Sequence, residues 1–168
     1  MTSEKNSQIL WAPWRMEYIL EEKEKECIFC TKTKQNRDKE NLILYRGEFC
    51  YVIMNKYPYN NGHLMVVAYR HFSEFELLND SESLEMMQTV SQSMVILKQT
   101  IHAEGFNIGM NIGKVAGAGI EEHLHFHIVP RWGADTNFMP VVSKTKVISE
   151  DLKETWERFR EPFSKIRM

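Results

Sequence analysis

Glu121-Glu122-His123-Leu124-His125-Phe126-His127-Ile128-Val129-Pro130-Arg131-Trp132 is the stretch from which the rest of the chain is read. Its three histidines alternate with apolar residues, which is the period of a half-buried β-strand. Leu124, Phe126 and Ile128 are predicted to face a core, and His123, His125 and His127 to line the other face. Pro130 has no N–H to donate, so pairing is expected to end there. Each neutral imidazole offers one donor and one acceptor nitrogen near neutrality, which suits either metal binding or phosphorus chemistry. At about 3.3 Å per residue, His123 and His127 stand roughly 13 Å apart. Zinc holds nitrogen at about 2.0–2.1 Å, so one ion cannot take all three rings without severe bending. The triple is expected to be divided, some rings doing chemistry and one on a metal. The bland alternative is a polar sheet face.

Working outward, Ala116-Gly117-Ala118-Gly119 lies just before the histidines. Glycines let backbone N–H groups approach an anion closely. No Gly-Lys-Ser/Thr pair follows, so this is not a P-loop. Residues 106–112 read as a strand. Before them runs one long helix, roughly Ser81 to Glu104, with Asp80 to Ser83 supplying the cap and Gly105 the stop. Leu84, Met87, Val90, Met94, Leu97 and Ile101 recur at helical spacing and are predicted to be its core face. Residues 41–45 and 49–54 read as a hairpin about Arg46-Gly47-Glu48. Asn55 to Gly62 is a loop by composition, and His63 to Tyr69 a third strand. Functional groups concentrate on loops held by rigid strands, and this one contains Asn55 and Lys56. Asn55 can equally satisfy its own turn.

Cys27-Ile28-Phe29-Cys30 has three readings. A redox pair would sit beside a βαβ pattern, and none is visible. Two buried thiols are the second. Half a zinc site is the third, with His71 and His123 as the candidates for the other ligands. The opening Trp11-Ala-Pro-Trp-Arg-Met-Glu-Tyr18 either docks on the core or forms an interface. A C-terminal amphipathic helix spans residues 149–160, with Leu152, Trp156 and Phe159 on its apolar edge.

The run His123-Leu-His-Phe-His127-Ile-Val resembles the signature of the histidine triad superfamily. Asn55-Lys56-Tyr57-Pro58 with Gly62-His63, Asn107-Ile-Gly-Met-Asn-Ile-Gly113, and Val129-Pro130-Arg131 resemble that family's ribose turn, phosphate approach and fragile-histidine-triad branch. The tryptophan-rich opening and Arg131-Trp132 with Asn137-Phe138-Met139-Pro140 look like the diadenosine tetraphosphate phosphorylase subgroup. The resemblance covers about residues 11–142. It implies an α+β class and a histidine-triad-like fold: an antiparallel sheet of about five strands, one long helix and a C-terminal helix. It implies one domain over residues 1–168, made of an N-terminal segment (9–30), a core (41–142) and the terminal helix.

The resemblance also implies chemistry. Dinucleoside polyphosphates would be cleaved through a nucleotidyl-histidine intermediate, with His125 as nucleophile and His127, His123 and His63 around it. Asn55, Lys56, Asn111, Gly119 and Trp132 would bind nucleotide. Cys27, Cys30, His71 and His123 would hold a structural zinc, and no organic cofactor is expected. The acceptor would be phosphate, with water as the alternative. A phosphoramidate hydrolase or a non-enzymatic nucleotide-binding module are further alternatives. A homodimer is implied as well.

Composition bounds the partners. The 168 residues are 43% hydrophobic and 26% charged, with a net charge of −2, ordinary for a globular protein. There is no basic excess for polymeric nucleic acid. No run has the apolar length of a membrane span, and residues 1–20 lack the pattern of a signal peptide. Three cysteines make an odd number and a disulfide framework unexpected, so the cytoplasm is the default.

Overall fold

The computed structural model describes residues 26–133, 135 and 150–167. The Trp11–Tyr18 opening and the predicted extended piece at residues 138–142 lie outside them. Two apolar runs make the centre: β2 (Cys50–Met54) and β3 (Leu64–Ala68), buried at every position. Such runs suit strands covered on both faces. They pair antiparallel, with Tyr51 opposite Val67. β1 (Ile43–Arg46) flanks β2, and β5 (His125–Arg131) pairs with β3. β4 (Gly105–Gly109) closes the far edge against β5, giving the order β1-β2-β3-β5-β4. The class is α+β with a five-stranded antiparallel sheet, as predicted.

Register assigns the two faces. Residues opposite each other in an antiparallel pair point the same way. Tyr51, Val67 and His125 therefore share one face, and Met65, His127 and Gly109 continue it. Helix α1 (Ile28–Lys34) covers this face. Its Phe29 is buried, accepts a hydrogen bond from the Tyr51 hydroxyl through its carbonyl, and sets its ring edge-on to His123 and His125. Helix α2 (Asp38–Asn41) leads into β1. The opposite face carries Cys50, whose sulfur meets Thr89 of helix α3 (Asp80–Ile101). Helix α4 (Leu152–Ser164) packs on β1 and α3 with Trp156, Phe159 and Phe163 buried, and the Trp156 indole donates to the Ile43 carbonyl.

Three expectations need correction. Pro130 does not end the strand: β5 runs to Arg131, with Pro130 opposite Phe106. A residue's N–H and C=O leave a strand on the same side. The Pro130 carbonyl accepts from Asn60 on the side that β3 has already left, beyond Leu64 opposite Ile128. The missing N–H therefore breaks no ladder. The core face of α3 is also rotated from the predicted one. Met86, Thr89, Val90, Ser93, Ile96 and Leu97 are buried, while Leu84 and Met87 are 61% and 55% exposed. Finally, α3 stops at His102, in the left-handed region with φ of 52°, rather than at Gly105.

Candidate active site

The loop between β2 and β3 is folded back on itself. Asn55 accepts from the Tyr57 N–H through its side-chain oxygen, an Asx turn. Gly62 follows with φ of 69°, and a Cβ there would meet Ile101 at 2.8 Å. Only glycine fits both the conformation and the contact. Asn60 is buried and donates to the Pro130 carbonyl, tying the loop to β5. These constraints deliver His63, 1% exposed, next to the histidines of β5.

Hydrogen bonds assign the protons on the three rings. His125 is buried, and its Nδ1 lies 2.7 Å from the His123 carbonyl. A carbonyl only accepts, so the proton is on Nδ1 and Nε2 keeps its lone pair. Burial pushes this imidazole below its ordinary range, with the hydrogen bond to His123 opposing, so the ring is neutral at pH 7. His63 is the reverse. The Tyr59 N–H donates to its Nδ1 at 3.1 Å, so its proton is on Nε2. That Nε2–H donates to His127 Nδ1 at 3.0 Å, which leaves the His127 proton on Nε2. The His125 and His127 rings are 4.8 Å apart, in opposite tautomers. One presents a lone pair and the other a proton.

His123 stands apart from this pair. Its Nε2 lies 2.7 Å from the Ala68 carbonyl, so Nε2–H donates there and Nδ1 is an acceptor. That Nδ1 is 3.3 Å from the Cys27 sulfur, 3.5 Å from the Cys30 sulfur and 3.3 Å from His71 Nδ1. Cys30 and His71 are 3.4 Å apart, and all four donor atoms lie within 4.8 Å of one another. Zinc bonds of about 2.0–2.3 Å in a tetrahedron put neighbouring ligands about 3.3–3.8 Å apart. The four separations given fall in that range, and the Ala68 carbonyl is the outer partner a ligating histidine requires. Burial, then the neighbouring Cys27, push the Cys30 thiol up; a divalent cation among the four atoms would reverse this. The four residues predicted from the C-x-x-C pair fit zinc.

The other predicted residues occupy the surroundings. Gly109 is opposite His127, so the chain beyond it, with Asn111, runs on past that ring. The following loop turns through Gly113 and Gly117, at φ of 79° and 85°, and Gly119 is exposed in it. Lys56 is exposed with its ammonium over the Tyr57 ring. The Trp132 indole donates to the Ile101 carbonyl at the end of α3. Sequence reasoning missed Tyr59 and Phe29. Phe29 had a signal in the C-x-x-C pair around it. Tyr59 acts through its backbone, which residue identity does not report.

A buried strand histidine with a lone pair, a neighbouring donor and a glycine loop are the parts that nucleophilic histidine chemistry on phosphorus needs. Residues 36–133 match the HIT domain model. The chain belongs to the HIT domain family. It is 42% identical over 156 residues to a Mycobacterium tuberculosis protein named AP-4-A phosphorylase, covering 88% of this chain and 80% of that one. It is 29% identical over 93 residues to an asymmetrical bis(5'-nucleosyl)-tetraphosphatase of Schizosaccharomyces pombe, 55% of this chain and 50% of that one. Among solved structures, a Zn-bound histidine triad family protein from Mycobacterium smegmatis superposes with a TM-score of 0.66 at 22% identity, over 83% of this chain and 94% of that one. A hypothetical histidine triad nucleotide-binding protein from Sulfolobus tokodaii gives 0.66 at 28% identity, over 82% and 92%.

Proposed function

We propose that this protein cleaves dinucleoside polyphosphates, diadenosine tetraphosphate above all, and passes the nucleotidyl group to inorganic phosphate. The observation that carries the reading is the pair of adjacent imidazoles in opposite tautomers. His125 Nε2 attacks the α-phosphorus, and the bond from that phosphorus to its bridging oxygen breaks. ATP leaves, and the adenylyl group stays on His125. The His127 Nε2–H donates to the oxygens where charge develops, and backbone amides around Gly119 add fixed dipoles. In the second step a phosphate oxygen attacks the same phosphorus, the P–N bond breaks, and ADP forms. Phosphate as acceptor rests on the likeness to the AP-4-A phosphorylase. The tetraphosphatase relative supports the second reading, in which water is the acceptor and AMP the product.

The substrate contacts are carried over from the family resemblance, and the positions of these residues around the histidines support them. Asn55 and Lys56, on the loop that delivers His63, face the ribose and its phosphates. Asn111 and Gly119 follow the strand opposite His127. Trp132 offers a ring face at the end of β5. The four-residue cluster holds a structural zinc, a closed site that supplies cross-linking rather than Lewis-acid chemistry. It anchors the start of α1 to the start of β5.

A second copy of the chain completes the molecule. Leu84, Met87 and Val95 are exposed on α3, and Ile108 is exposed on β4, the edge strand. Large apolar side chains exposed on a helix and on an edge strand support an interaction surface there. None of the three cysteines is in a disulfide, which supports the cytoplasm, readable by cell fractionation.

Product analysis tests the reaction. Diadenosine tetraphosphate with labelled inorganic phosphate is expected to give ATP and ADP, with label in the β-phosphate of ADP. Phosphate-independent AMP and ATP would establish the hydrolase instead. No cleavage in either mixture would sink both.

A further inference from the structure

The reading of His127 as a proton donor leaves one question: what decides that its proton sits on Nε2? Its register partners, Met65 on β3 and Gly109 on β4, carry no side chain that donates to an imidazole or accepts from one. The decision comes from the loop. The Tyr59 peptide N–H points at His63 Nδ1 at 3.1 Å, and a peptide N–H can only donate. The Asn55 amide nitrogen approaches the same Nδ1 at 3.4 Å. Both groups favour a lone pair on Nδ1. His63 Nε2 then carries the proton it shows to His127.

The Tyr59 ring reinforces the arrangement. Its centroid lies 4.8 Å from that of His63, inclined by 30°, and 6.0 Å from that of His127, inclined by 37°. Both imidazoles thus have the Tyr59 ring as a neighbour, His63 more closely than His127. The loop itself is held by the Asx turn at Asn55, by the His63 N–H donating to the Asn60 carbonyl, and by Gly62 against Ile101. The amide is thus a fixed donor, not one that follows the ring.

We propose that Tyr59 is a positioning residue of this site: its peptide N–H, through His63, sets the tautomer of His127 and so decides that this ring presents a proton to the substrate. The proposal rests on the reading of His127 as donor. Were His63 to flip to the Nδ1–H tautomer, its Nε2 would become an acceptor. His127 would then turn its own proton inward on Nδ1 and present a lone pair. Catalysis by a ring in the wrong tautomer falls by orders of magnitude in histidine-based sites.

Two measurements test this. The first is long-range proton–nitrogen NMR on protein labelled with nitrogen-15 in histidine. It reads each ring's tautomer with no need of turnover. His63 and His127 are expected as Nε2–H and His125 as Nδ1–H; finding His63 as Nδ1–H overturns the proposal, whatever the enzyme's reaction is. The second compares Tyr59→Pro, which removes the N–H and the ring, with Tyr59→Ala, which removes only the ring. Tyr59→Pro is expected to mix the His63 and His127 tautomers and to lower kcat at least tenfold below Tyr59→Ala, with KM within about threefold. Equal kcat in two folded variants overturns the proposal and leaves the nucleotidyl-transfer reading intact. If Tyr59→Pro does not fold, the wild-type spectrum decides.

Discussion

At the scale of single residues, the site works by giving neighbours unlike jobs. His123, His125 and His127 are two residues apart, yet each meets a different partner. His123 turns Nδ1 to the thiols, His125 donates to the His123 carbonyl, and His127 accepts a hydrogen bond from His63. His125→Ala is expected to lower kcat by at least about 10⁴-fold, the scale seen when a covalent nucleophile is removed. Its circular dichroism should match the wild type. A folded variant retaining a tenth of the activity would exclude His125 as nucleophile. Much of this was legible in the chain. Period-two histidines named the strand, and the C-x-x-C pair with His71 and His123 named four residues whose donor atoms lie together. The tautomers were not legible, because carbonyl and amide partners such as those of His123, Ala68 and Tyr59 look alike in any sequence.

At the scale of elements, the phase of α3 is the instructive error. Counting apolar residues selected Leu84 and Met87, while the buried face includes Thr89 and Ser93. Both small polar residues bring their partners with them: the Ser93 hydroxyl donates to the Thr89 carbonyl, and Thr89 meets Cys50. Small side chains let the helix sit close to the sheet, and hydrophobicity does not report that. The start of α3 was legible to within a residue or two, but its cap is Asn79, just before the predicted Asp80–Ser83, in a capping box with Glu82. Glu82 is also gripped by Arg70, which holds its carboxyl below the usual range. A depressed carboxylate stabilises the fold fully above its unfolded pKa of about 4.3, and the contribution is lost as pH falls through the folded value. Glu82→Gln should therefore lower Tm at pH 7, with the gap to wild type closing below about pH 4. A gap independent of pH would refute the pairing as its source.

At the scale of the whole molecule, metal and dimer are the two expectations to weigh. Purified protein should carry one zinc per chain by elemental analysis, and Cys30→Ser should carry much less. A ligand present at a thousand times its dissociation constant stabilises by about 4 kcal/mol, and each kcal/mol moves Tm by about 2–4 °C at this size. Chelation should therefore lower Tm by about 8–16 °C; an unchanged Tm would mean that the four residues hold no ion. For the dimer, Leu84→Glu with Met87→Glu should halve the mass seen by sedimentation, since charge on an apolar contact is costly to bury. A monomeric wild type would remove the second copy from the account. No described helix is long and apolar enough to cross a membrane.

The pairing of β3 with β5 has a last consequence, in folding rather than in catalysis. His63 and His127 are far apart in sequence, and all of α3 and β4 lie between the strands that carry them. Helix α3 can form from local contacts, and the β2–β3 pair closes over one short loop, but joining β5 to β3 must close a long one. Until that closure the chain holds histidines but no site. The groups proposed to do the chemistry are therefore neighbours only in a chain that has made this closure, and loop length makes it the costliest of the strand pairings.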